Sequence, residues 1–322
     1  MMFGKRWLLG CLAVAALAGG VAAQQRSIAI ATGGTGGVYY PLGGGLANIL
    51  SKSLPGLQAS AEVTGGSVDN LKLIGSGQAE IAFTMVDATL DAFRGEDKFK
   101  GNKVDARALA VLYPNRMHVV TVEGRGVEKI GDLKGKRVST GSGGSATEVM
   151  AFRVIEAAGL DKDKDMKRER LGVAESANAL KDRKIDAFFW VGGLPTAAVS
   201  DLAHSPGVKV KLIDHADLVG KMNQKYGNLY VEDRIPKETY KGMDADNRQA
   251  TVMNLLVAHQ NMDEKTAYNI LKAVFDHRDE LIRVHKEAEN FKLENQKTAA
   301  AGGIPWHPGA VRYFKEKGVK LD

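Results

Sequence analysis

An α/β fold of two units is what the sequence predicts, and three observations carry the prediction. Short apolar strands alternate with helical stretches from Ser27 onward, the pattern of a largely parallel sheet covered by helices. Two glycine-rich turns, at 32–39 and 140–147, each close a strand and open a helix, one in each unit. The chain has 322 residues, enough for two lobes of ordinary size and a sizeable core.

In order, 27–31 reads as a strand and 38–53 as the helix after the first glycine turn. Residues 58–64 read as a strand, 67–76 as a helix and 80–85 as a strand. Residues 106–113 read as another strand, continuing into 117–122. A second unit starts near Lys129 with a strand at 138–140, the second glycine turn and a helix at 146–158. Then come a strand (168–173), a helix (175–181), a strand (186–191) closed by Gly192-Gly193-Leu194-Pro195, a helix (196–203) and a strand (208–213). From Asp246 to about Phe291 the apolar spacing predicts long amphipathic helices, with Leu255, Leu256, Ile270, Leu271, Val274 and Leu281 in the core. A last helix spans 310–317. The lobes divide as 24–122, 123–215 and a return segment 216–322.

Residues 1–23 form a secretory leader. Lys5-Arg6 is its basic start, 7–18 its apolar run, and Val21-Ala22-Ala23 its small-residue cleavage site. Lipid anchoring at Cys11 is not expected, because the Leu8-Leu9-Gly10-Cys11 motif precedes the apolar core rather than following it. Cys11 is the only cysteine, so a mature chain would have no disulfide, thiolate metal site or cysteine nucleophile. Export places the protein in the periplasm, where a thiol-free chain is at home. Net charge is +6, and the leader's Lys5 and Arg6 account for two. The densest basic stretch, 162–170, alternates with acids and lacks interleaved aromatics, which argues against nucleic-acid binding.

A glycine turn at a helix N-terminus lets backbone N–H groups approach an anion in a field of roughly half a positive charge. Hydroxyls of Thr35, Ser142, Ser145 and Thr147 add donors. Neither turn is followed by the lysine of a nucleotide P-loop. Gly141-Ser142-Gly143-Gly144-Ser145-Ala146 fits a dinucleotide fingerprint, but Asp161 precedes the next strand instead of ending it. Ser67 and Ser145 both lack the last glycine of a hydrolase elbow, and Ser67 reads more simply as the N-cap of its helix. The histidines have no metal-ligand spacing, and His118 reads as a hydrogen-bonded structural residue. No catalytic residue, metal or cofactor is expected. Tyr39 and Tyr113 are equally suited to pocket or core, whereas Tyr40 and Trp190 read as core. Neither cradle contains an arginine, so backbone and hydroxyl donors are expected to hold the anion without an essential ion pair.

Five stretches together carry a resemblance: ATGGTGGVYYPLG from Ala31, TGGSVDN from Thr64, VSTGSGGS from Val138, IDAFFWVGGLP from Ile185 and PWHPGA from Pro305. The chain resembles the TAXI-type solute receptors of TRAP transporters over nearly its whole mature length. That resemblance implies a type II periplasmic binding-protein fold, with two α/β lobes around a ligand cleft. It implies capture of a small carboxylate, a dicarboxylate such as glutamate or a 2-oxoacid, for delivery to a TRAP-type permease driven by an ion gradient. It implicates Thr35, Gly36, Gly37 and Tyr39 in one lobe and Ser142, Gly143, Gly144 and Ser145 in the other. Ser67, Asn70, Tyr113 and Gly193 are further contacts. A monomer is the expected state. A periplasmic receptor that signals, or an exported hydrolase or dehydrogenase, are the competing readings.

Overall fold

In the computed structural model, residues 26–322 are described; the leader, its cleavage site and Cys11 lie outside them. β1 (Arg26–Ala31) leads into α1 (Tyr39–Ser53), β2 (Leu57–Glu62) into α2 (Ser67–Ser76) and β3 (Ile81–Met85) into α3 (Val86–Arg94). β4 (Ala106–Val122) is a single strand of 17 residues that runs through Pro114, continuous as the sequence suggests. In the second half, β5 (Arg137–Ser139) leads into α4 (Ala146–Ala157), β6 (Lys167–Glu169) into α5 (Val173–Lys181) and β7 (Ala187–Gly192) into α6 (Ala197–Ala203). β8 (Val210–Leu212), α7 (Val219–Tyr226), β9 (Val231–Ile235) and β10 (Asn247–His259) follow. The chain ends with α8 (Glu264–Asp276), α9 (Arg278–Val284) and α10 (Pro308–Glu316).

The strands order as β2-β1-β3-β10-β4-β7-β5-β6, with β8 also on β4 and β9 on β10. β1 is parallel to β2 and β3, and β5 is parallel to β6 and β7. The centre differs from the expected parallel sheet. β10 runs antiparallel to β3 and β4, and β4 runs antiparallel to β7. Two long strands crossing between the halves produce this. β4 pairs with β10 along its first part and with β7 and β8 beyond Arg116. The register against β10 shifts between Met253 and Leu255, beside Pro114, which has no N–H to give the ladder. β4 and β10 are therefore the strands that connect the two halves.

β10 also corrects the expected helix over its residues. Its Val252, Leu255, Leu256 and Val257 are all buried, so both faces of the strand are covered and no two-residue alternation marks it. The helical reading holds only from Glu264. α3, at 86–94, is an element the sequence reading lacks.

Apolar side chains fill three connected cores. One lies under α2, α3 and α4 and spans both halves, a second under α1, α8 and α10, and a third beneath α5 and α6. Among the described residues, no helix is long and apolar enough to cross a membrane.

Candidate functional site

The parallel pairing fixes where a ligand can sit. β1 is parallel to β2, and β5 to β6, while the antiparallel strands between them turn the two pairs in opposite directions, so their carboxyl ends face one another. Each of these strands is followed by a glycine-containing turn and then by α1, α2, α4 or α5. The four junctions wall one cavity of about 410 Å³ between the halves, which is room for a small organic molecule. Residues 33–39, 63–67, 145–147 and 170–175 form its sides, and Tyr113 and Asn115 of the crossing strand β4 contribute to it. Helix N-termini carry free N–H groups and roughly half a positive charge each, so four at one cavity make a strongly anion-attracting field.

The halves touch each other around this cavity. Ser142 Oγ donates to Gly65 O at 2.8 Å, and Asp69 N–H donates to Gly144 O at 3.0 Å. Ala198 N–H donates to Gly36 O at 3.3 Å. Gly144 has φ of 85°, which an L side chain adopts poorly, and a Cβ there would lie 2.2 Å from the Asp69 carboxylate. This glycine permits the close crossing of the two turns.

Thr35, Gly36, Gly37, Tyr39, Ser67, Tyr113, Ser142, Ser145 and Thr147 all line the cavity. Asn70, Gly143, Gly144 and Gly193 stand outside its wall. Asn70 is fully buried, and its amide is spent on Thr32 O and Phe83 O at 2.6 and 2.7 Å. Gly193 packs against Tyr113 and Glu287.

The hydroxyls are less available than the sequence suggests. Ser145 caps α4 by accepting from Glu148 N–H and donates its own proton to Ser142 O at 2.7 Å. Ser142 has given its proton to Gly65. Ser67 is the first residue of α2 rather than its cap, a position held by Gly66, and its oxygen accepts from Met85 N–H at 3.2 Å. The donors left for an anion are therefore backbone N–H groups and the hydroxyls of Thr35, Ser67 and Thr147, the last two of which only accept within the protein.

Three wall residues were absent from the site expected from sequence or were placed elsewhere by it. Arg170 lines the cavity, so the cleft does contain an arginine, contributed by the β6–α5 junction rather than by either glycine cradle. Its Nε donates to Glu148 Oε1 at 2.7 Å and its Nη2 to Glu148 Oε2 at 3.3 Å, while the side chain is 55% exposed. Glu148 is 2% exposed and also pairs with Arg168, so it is a buried anchor for both arginines. Trp190 is in the wall rather than in the core, with its indole N–H on Thr196 Oγ1 at 2.8 Å. Asn115 is the third. Leu171-Gly172-Val173 is a strand–glycine–helix junction like the first two, and this pattern was the available signal for Arg170.

At the crossing strand, Tyr39 O–H donates to Asn254 Oδ1, and Asn115 Nδ2 donates to the same oxygen at 2.7 Å. Burial raises the Tyr113 hydroxyl well above its ordinary range, with Tyr39 and Glu287 adding to the effect, so it stays an O–H donor. The wall contains no histidine among the described residues. His118 lies behind it as a structural group, as the sequence reading has it. Its Nδ1–H donates to Arg116 O at 2.8 Å, and its Nε2 accepts from Tyr240 O–H at 2.9 Å.

A protein-family model described as NMT1-like matches residues 30–318. Among solved structures, a protein of Bordetella bronchiseptica RB50 is similar at 18% identity, covering 92% of this chain and 99% of its own, with a TM-score of 0.60. A Listeria monocytogenes protein, provisionally described as an L-cystine ABC transporter, is similar at 16% identity, covering 83% of this chain and 98% of its own, with a TM-score of 0.50. At these identities the likeness is one of fold: a mixed α/β chain in two lobes.

Proposed function

Since the chain belongs to the NMT1-like family, we propose that it is an extracytoplasmic solute-binding protein that captures a small organic anion between its lobes and hands it to a membrane transporter. The observation that carries this is the convergence of four helix N-termini and Arg170 on one cavity. An anion placed there meets helix N-termini of both halves, so it stabilises the closed arrangement more than the open one. Residues 24–122 and 216–322 would form one lobe and 123–215 the other, moving about β4 and β10. The leader directs the chain to the periplasm.

The finer features of this reading come from the TAXI resemblance: a carboxylate ligand and a TRAP-type permease. The Listeria protein is described as an ABC transporter instead. Dependence of solute uptake on the ion gradient, measured with an ionophore in cells carrying receptor and permease, distinguishes the two. The binding claim itself is tested by thermal unfolding of the mature chain against carboxylates, 2-oxoacids, amino acids and neutral sugars. A bound ligand raises the melting temperature in proportion to its affinity. Upward shifts confined to the anions are expected. Shifts confined to neutral sugars would refute it, as would turnover of an ester or a nicotinamide by the purified protein.

A further inference from the structure

Two polar atoms of the cavity wall have no partner in the protein. Tyr113 is fully buried and Asn115 is 2% exposed, and both line the cavity on the crossing strand. The Tyr113 hydroxyl and Asn115 Oδ1 make no hydrogen bond. Asn115 is oriented by its neighbour. Asn254 Oδ1 accepts from both Tyr39 O–H and Asn115 Nδ2, which turns the nitrogen of Asn115 towards Asn254 and leaves Asn115 Oδ1, like Asn254 Nδ2, without a partner. Phe291 stacks on the Tyr113 ring, with centroids 6.3 Å apart, and Gly193 packs against its edge, so the hydroxyl is held in place. A buried polar group without a partner costs on the order of 1–3 kcal/mol. Here one such donor and one such acceptor sit two residues apart on a strand that lines a ligand-sized cavity.

Their surroundings limit what can satisfy them. The charged wall residues, Arg170 and Glu175, belong to the 170–175 turn and α5, not to the crossing strand. The nearby, partly exposed cation Arg116 is engaged with Asp233 at 2.8 Å and Glu287 at 3.5 Å. A carboxylate placed against Tyr113 and Asn115 would meet an unshared amide oxygen and no free counter-charge, with the Glu287 carboxylate close behind. Burying a charge in that situation is strongly unfavourable.

Resting on the reading of the cleft as an anion site, we propose that Tyr113 and Asn115 select the second end of the ligand, and that this end is an uncharged group that both donates and accepts, a hydroxyl or a carboxamide. The group accepts from Tyr113 O–H and donates to Asn115 Oδ1, while the carboxylate at the other end lies on the helix N-termini. Amide- and hydroxyl-ended monocarboxylates are then preferred over the dicarboxylates that the resemblance implies.

The test is calorimetry on the mature chain with matched acids of four, five and six carbons. At each length the far end is a carboxamide, a hydroxyl, a second carboxylate or a methyl group. The expected result is that at the best length the carboxamide or hydroxyl acid binds at least tenfold more tightly than the dicarboxylate and the methyl-ended acid. Tyr113→Phe then weakens the preferred acid about tenfold and leaves the methyl-ended acid unchanged. A dicarboxylate that binds most tightly would overturn this assignment and leave the anion reading intact, as would equal binding of amide- and methyl-ended acids. Failure of every acid at every length, with no rise in melting temperature, would instead refute the anion reading on which it rests. The ranking on the unmodified protein stands even if the phenylalanine variant folds poorly.

Discussion

Closure can be tested at a single carbon atom. A Cβ added at Gly36 would lie 3.0 Å from Ala174 Cβ, 3.2 Å from Ala198 Cβ and 3.5 Å from Val173 Cγ1. Gly36 belongs to the first lobe's turn, and all three neighbours belong to α5 and α6 of the other lobe. The two closest are alanine methyl carbons on helix backbones, so no rotamer change relieves the contact. It is relieved by parting the lobes. Overpacking of this kind costs about 1–3 kcal/mol, and the Ala198–Gly36 hydrogen bond is stretched with it. Gly36 does not have a positive φ, so alanine is not strained locally. If closure accompanies binding, Gly36→Ala charges that cost to the bound form alone, and affinity falls about 5- to 150-fold. The ligand-free variant should melt within a few degrees of the parent, since the methyl group is free in an open cleft and alanine stiffens the unfolded chain. Calorimetry with the tightest carboxylate of the thermal-shift series, beside unfolding of the ligand-free protein, gives both quantities. Unchanged affinity with a markedly lower melting temperature would refute the reasoning, because the contact would then be part of the resting fold.

Other consequences are expected away from the cleft. Burial lowers the His118 pKa to about 4, from an ordinary value near 6.5. The unfolded chain therefore takes up the proton first, and stability contributed by this site is lost as pH falls from about 6.5 to 4. The loss is of order 3 kcal/mol, and urea unfolding at several pH values should show a shallower slope for His118→Gln. Asp263 caps α8 by accepting from Thr266 N–H and Oγ1–H and also pairs with Arg26, which together hold its carboxyl down to about 2. Its contribution is present above pH 4 and is lost as pH falls through 2. Because the side chain is half exposed, about 1 kcal/mol is expected, and Asp263→Ala should remove it in neutral-pH denaturation. Ser145→Ala removes the cap of α4 and should cost about 1 kcal/mol of stability, with little direct effect on anion affinity since the hydroxyl proton already faces Ser142. A large affinity loss with unchanged stability would show that Ser145 touches the ligand.

Glycine turns and short strands made the outer parts of both lobes legible, because β1, β2, β5 and β6 each run into a glycine-containing turn and then a helix. β10 was not legible, since a strand buried on both faces has no alternation and its Leu255-Leu256 pair suits a helix equally well. The site followed the same division. Thr35 to Tyr39 and Ser142 to Thr147 are local motifs, and nine of the residues expected at the ligand do line the cavity. Asn115, Arg170 and Trp190 are brought there by pairings far apart in sequence, β4 with β7 and β5 with β6. The sequence contains all four strand–glycine–helix junctions, yet it does not say that they face one another. That depends on two parallel pairs being joined edge to edge by antiparallel crossing strands. The same crossing places Tyr113 and Asn115, the unpaired donor and acceptor, against the cavity. The helix termini can attract any small anion, so discrimination among anions falls to the strand on which the lobes move.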